Sequence, residues 1–141
     1  MSKIRQVENN VKMFLKHWGF GEVCSSIYAA LTLSSKPLTA RELSRRMDYA
    51  YTTTINALNH SIGLGHVKKM RQGKKYVYYI DVDLADIVKE KLGHFLKLLE
   101  NTEKFVSRLD SDQKKNLEKP LKTIRNTITF LKKIKKVEAL V

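Results

Sequence analysis

The chain has 141 residues, 27 of them Lys or Arg and 14 Asp or Glu, for a formal charge of +13. That excess points to a polyanionic partner, nucleic acid ahead of an anionic membrane surface, while a single cysteine, Cys24, excludes an internal disulfide and any multi-cysteine zinc site within one chain. No apolar run reaches the roughly 20 residues of a membrane span, and an N-terminus without an apolar segment behind its charges argues for a folded protein kept in the reducing cytoplasm.

Residues 3–18 carry Ile4, Val7, Val11, Phe14, Leu15 and Trp18 at spacings of three and four, the stripe of an amphipathic helix. Gly19 and Gly21 end it. Its aromatics, with Phe20, are expected in a core or a dimer contact rather than around a ligand. From Glu22 to Leu33 the segment EVCSSIYAALTL reads as a buried helix through Val23, Ile27, Ala30 and Leu31. No acid or base accompanies Cys24 to activate it, so it counts as a small buried hydrophobe. Pro37 then breaks the helix.

Thr39 and Glu42 have the spacing of a capping box. The short helix behind them, ARELSRRM, buries Leu43 and Met47 and turns Arg41, Arg45 and Arg46 outward. After a turn at Asp48-Tyr49-Ala50, a second helix over about Tyr51 to Ile62 places Ile55, Leu58 and Ile62 on one side. Its other side carries Tyr51, Thr52, Thr53, Asn56, Asn59 and His60. Gly63 and Gly65 stop it. β-Branched and aromatic residues then bracket Gln72-Gly73, a hairpin signal. Five basic residues, Lys68, Lys69, Arg71, Lys74 and Lys75, cluster towards its tip.

Asp83 is placed to cap a long helix from Leu84 to about Leu109, with a stripe through Ile87, Val88, Leu92, Phe95, Leu98, Leu99, Phe105 and Val106. A last helix starts at Ser111 or Asp112, with Pro120 kinking it or opening its main segment. Leu117, Leu121, Ile124, Ile128, Leu131 and Ile134 line one face, and Lys132, Lys133, Lys135 and Lys136 crowd its end. Two such helices have more apolar surface than a small domain covers, so pairing with a second copy is the simplest outcome.

The charge is not spread evenly. Residues 36–80 hold nine cations against Glu42 and Asp48, a net of +7, yet no formal charge lies between Tyr49 and Val67. A helix showing Thr, Asn and His between basic elements suits a DNA groove. Neutral polar groups hydrogen-bond base edges while Lys and Arg, here Arg41, Arg45 and the hairpin, hold phosphates. The order of elements matches the helix pair whose second member enters the major groove. His17, His60, His66 and His94 have no carboxylate at ligand spacing, and neither a glycine-rich phosphate loop nor a nucleophile–base pattern is present. No catalysis, metal or other cofactor is expected.

The stretch LTARELSRRMDYAYTTTINALNHSIGLGHVKKMRQGKKYVYYI resembles the winged helix of the MarR superfamily, closest in style to GbsR-like and archaeal MarR-type regulators. Leu38, Thr39, Glu42, Leu43 and Ser44, then Leu64, Gly65 and Val67, carry the likeness. Ala50 stands where that family often has a Ser or Thr cap, and Thr54 and Ser61 stand where apolar residues are usual. The resemblance implies a mainly α (α+β) fold in three parts: an N-terminal helix over 1–20, a winged helix-turn-helix over 21–82 and a helical dimerisation arm over 83–141. It also implies a homodimeric transcription regulator of double-stranded DNA. Recognition-helix contacts would fall on Tyr51, Thr52, Thr53, Asn56 and His60, and wing contacts on Arg71, Lys74 and Lys75. An effector pocket would be usual in the family, but the residues name no ligand. The alternative is a winged-helix interaction module of the transcription machinery with only non-specific DNA affinity.

Overall fold

The computed structural model describes residues 2–139, with side chains as far as Lys136. Its backbone falls into two units, one ending at Asp83 and one beginning at Leu84.

In the first unit, α1 (Lys3–His17), α2 (Glu22–Leu33), α3 (Ala40–Met47) and α4 (Tyr51–Gly63) precede the antiparallel strands β1 (Val67–Gln72) and β2 (Lys75–Ile80). Leu15, Ile27, Tyr28, Leu43, Leu58 and Val67 are fully buried and form its centre. Each such side chain contributes roughly 1.5–3 kcal/mol through its burial. The sequence stripe of α1 is only partly used: Leu15 is buried, whereas Ile4, Val7 and Phe14 remain exposed. Phe14 stacks on Trp18, with ring centroids 6.2 Å apart. Cys24 is half-buried on α2.

Local chemistry sets the ends of these elements. Thr39 accepts from the Glu42 N–H, and the Glu42 carboxylate accepts from the Thr39 N–H, each at 3.1 Å. A cap of this kind stabilises a helix by about 1 kcal/mol. Asp48 ends α3 in the left-handed region, φ 58° and ψ 45°, which Asp tolerates better than most residues and which turns the chain into α4. Gly73 takes the first central position of the hairpin with φ 67°, as a tight two-residue turn between Gln72 and Lys75 demands.

Glu22 receives Lys12 and Lys16 of α1 in ion pairs. The hydrogen bonds from these two ammonium groups hold its carboxyl at about 2, below the ordinary 4.5. A depressed folded-state value means that the pairs stabilise the fold above the unfolded value and lose that effect as pH falls from 4.5 towards 2. Glu22→Gln is therefore expected to flatten the acid limb of a urea-midpoint against pH curve over that window. A variant that keeps the wild-type acid loss would contradict the assignment.

The second unit contains α5 (Leu84–Ser107), α6 (Ser111–Lys115) and α7 (Glu118–Ala139). α6 starts at Ser111 as expected, and Asp110 caps it in a box with Gln113. Pro120 sits in the first turn of α7, where its missing N–H costs no helical bond. α5 packs on α7 in an antiparallel hairpin, with Glu103 of α5 paired to Arg125 of α7 at 3.1 Å. The stripe expected on α5 is corrected in part: Ile87 and Leu96 are its buried residues, while Phe95, Leu98 and Phe105 face outward. No helix among the described residues is long and apolar enough to cross a membrane.

Candidate nucleic-acid interface

Two buried tethers position the surface formed by α3, α4 and the hairpin. Leu38, just before α3, forms a two-way backbone bridge to β2: its N–H donates to the Tyr78 carbonyl (3.0 Å) and its carbonyl accepts from the Tyr78 N–H (2.7 Å). On the other strand of the hairpin base, His66 lies between α4 and β1, and its Nδ1 shares a 2.7 Å hydrogen bond with the phenol of Tyr28 on α2. Phe20 closes this buried cluster, 5.3 Å from the Tyr28 ring and 5.9 Å from His66. The hairpin is thus tied to the helical body through both strands near its base, and residues 68–76 towards its tip are exposed.

The rotation of α4 differs from the apolar reading of its sequence. Its buried residues are Thr54, Leu58 and Ser61, while Ile55 and Ile62 are half-buried. Burying two hydroxyls is feasible because both bond along the helix. Thr54 donates to the Ala50 carbonyl (3.1 Å) and Ser61 to the Ala57 carbonyl (2.9 Å), so no polar hydrogen is stranded. These are the two positions where the resemblance expects apolar residues, and α4 keeps that register. Ala50 is the N-cap and makes no side-chain cap bond.

With this rotation Tyr51, Thr52, Thr53, Asn56, Asn59 and His60 are all exposed. Thr52, Asn56, Asn59 and Gly63 follow at spacings of three and four, so one solvent-facing line of a helix roughly 20 Å long is polar and uncharged. The Arg41 guanidinium lies 5.4 Å from the centroid of the Tyr51 ring, which holds it beside the start of α4.

The remaining predicted residues divide into two groups. Arg41, Arg45, Lys74 and Lys75 come together with Tyr51 around a cleft of about 430 Å³ between α3, the start of α4 and β2. Lys68, Lys69 and Arg71 lie on β1 and are exposed. Lys69 rests over the Tyr76 ring at 4.7 Å, and Arg71 Nε donates to the Gly73 carbonyl at 3.2 Å, so both heads are held near the hairpin. Arg46 is not part of this surface, because its guanidinium pairs with Glu8 of α1 at 2.8 Å. Sequence reasoning passed over Tyr76 and Tyr78. Their alternation with Val77 along β2 was the available signal, but which face met α3 depended on the Leu38 bridge. Among the described residues no group of His, Cys, Asp and Glu is placed to hold a metal ion.

The profile of the penicillinase repressor family matches residues 21–133. Among solved structures, the ST1889 protein of the thermoacidophilic archaeon Sulfolobus tokodaii is 20% identical, with 72% of this chain and 99% of that chain covered at a TM-score of 0.52. A protein described as a transcriptional regulator covers 99% of this chain and 100% of its own at a TM-score of 0.59 and 5% identity. At such identities these two likenesses concern the fold. No curated protein sequence matches the chain. The GbsR-like style of the resemblance rests on the sequence alone, whereas the winged helix-turn-helix regulator it implied is what the family match and the fold support. The chain belongs to the penicillinase repressor family of winged-helix transcription regulators.

Proposed function

We propose that the protein is a cytoplasmic homodimer that reads double-stranded DNA with the exposed face of α4 in the major groove and the basic hairpin on the flanking backbone. The observation that carries this reading is the exposed, uncharged face of α4, preceded in the chain by Arg41 and Arg45 and followed by the five hairpin cations. Thr52, Thr53, Asn56 and His60 have donors and acceptors suited to base edges, and Asn pairs well with adenine. Lys68, Lys69, Arg71, Lys74 and Lys75 carry charge that any sequence attracts equally. Dimerisation through the N- and C-terminal helices is supported by the apolar side chains they leave exposed: Ile4 and Val7 on α1, Leu98 and Phe105 on α5, Phe130 on α7. Residues 21–82 then form the DNA-binding part, with 1–20 and 83–141 serving the dimer.

A binding titration on a selected genomic fragment and on a random duplex tests this division of labour. Asn56→Ala is expected to weaken binding to the selected fragment by about fivefold to 150-fold, through the roughly 1–3 kcal/mol of a base contact, and to leave the random duplex unaffected. Arg71→Gln is expected to weaken both equally and to lower the salt slope. Equal losses on both duplexes for both variants would refute the reading head. Absence of DNA binding at low salt would favour a protein-interaction module instead.

A further inference from the structure

The cleft between α3 and the hairpin has a chemistry of its own. Arg41 and Arg45 enter it from one side, Lys74 and Lys75 from the other, and Tyr51 and Tyr76 stand on its walls. The four cations face one acid, Glu42, whose carboxylate is engaged in the α3 cap by the Thr39 N–H. That bond comes first in holding the carboxyl below its ordinary range, with Lys36 and Lys75 adding to it. With Glu42 ionised against four cations, the cleft keeps a surplus of positive charge. Its phenols converge as well: burial raises the Tyr78 hydroxyl above its ordinary value, and the neighbouring Tyr51 and Tyr76 raise it further. Cations and hydroxyl donors that converge on one concavity have the composition of an oxyanion seat.

We propose that this cleft seats one phosphate group, shared between the arginines of α3 and the lysines of the hairpin, with the Tyr51 and Tyr76 hydroxyls as further donors. The proposal rests on the DNA reading for its expected source, a backbone phosphodiester passing between α4 and the hairpin. A free phosphate would meet the same chemistry and would compete with DNA for the seat. On this view α3 and the hairpin grip the same point of one strand, so the Leu38–Tyr78 bridge that holds them together sets the span of the grip.

Sharing has a thermodynamic signature. Each phosphate neutralised contributes about 0.9 to the slope of log K against log salt. Full-length Arg41→Gln, Lys74→Gln and the double variant are titrated against a random duplex over a range of salt, with folding checked by circular dichroism. Because both side chains serve one phosphate, the double variant is expected to lose about 0.9 in slope. Its Kd is expected to rise about tenfold, little more than in either single variant. A loss near 1.8, the sum of two independent contacts, would overturn the proposal, as would no loss at all. Inorganic phosphate added at fixed ionic strength forms the second arm. Displacement of DNA from the wild type but not from the double variant confirms that the seat takes a free phosphate as well. If the wild type binds no DNA, the DNA reading fails by itself. Calorimetry with inorganic phosphate then decides the seat: binding lost in the double variant upholds it, and no binding to the wild type refutes it.

Discussion

Leu58→Ala is expected to lower the unfolding free energy by about 2–5 kcal/mol, the range for removing a buried leucine side chain and leaving a cavity. Leu58 is fully buried, and its buried neighbours on the same face of α4 are Thr54 and Ser61. Those two hydroxyl residues contribute little apolar area, so Leu58 is the principal apolar anchor of the helix. The loss is a large share of the roughly 5–15 kcal/mol that holds a small domain together. Urea unfolding at neutral pH measures it as a lower midpoint with an unchanged slope. Ile55→Ala, at a half-buried position, is expected to cost less. A Leu58 variant within 1 kcal/mol of wild type would mean that α4 is held some other way.

Leu98→Glu combined with Phe105→Glu is expected to turn the proposed homodimer into a monomer. The two residues are 51% and 65% exposed on α5 and lie seven apart, so they share a face. Burying a Leu or a Phe is worth about 1.5–3 kcal/mol. Losing both raises the dimer dissociation constant by about a hundredfold to ten-thousandfold, and the buried carboxylates add to that. Sedimentation velocity across a range of concentration measures the change, and circular dichroism checks that the helices persist. A doubly substituted chain that sediments as the wild-type dimer would place the interface on other faces. The monomer should also bind the selected fragment far more weakly, because two half-sites would no longer be held by one particle.

The two units differ in how much of their surface could be read in advance. In the first, the exposed members of α4 were legible as polar residues, but the depth of Thr54 and Ser61 was not. Apolar periodicity assigns the inward face to Ile55, Leu58 and Ile62, because it cannot count a hydroxyl that finds an acceptor four residues back. In the second unit the same periodicity names more apolar positions than one hairpin can bury, and it does not say which are left over. Leu96, outside the expected stripe, is buried, and Phe95, Leu98 and Phe105 are not. Arg46 makes a similar point about charge. It occupies the same short helix as Arg41 and Arg45, but Glu8, 38 residues earlier, draws it away from their face.

The amino-acid sequence was sufficient for the elements of the first unit and most of their ends, because these depend on neighbours within a turn; the single last helix it implied is two, α6 and α7. The Thr39–Glu42 box, the tight turn at Gly73 and the three- and four-residue spacings of the helices are properties of short segments. It was sufficient, too, for the concentration of charge around an uncharged helix. The tertiary structure alone decided how those parts meet. The bridge from Leu38 to Tyr78 and the hydrogen bond from Tyr28 to His66 join residues about 40 positions apart, beyond the reach of any local pattern. Only through the bridge do the arginines of α3 and the lysines of the hairpin face the same cleft. Long-range pairing follows from the burial of the whole core, so no single segment could announce it.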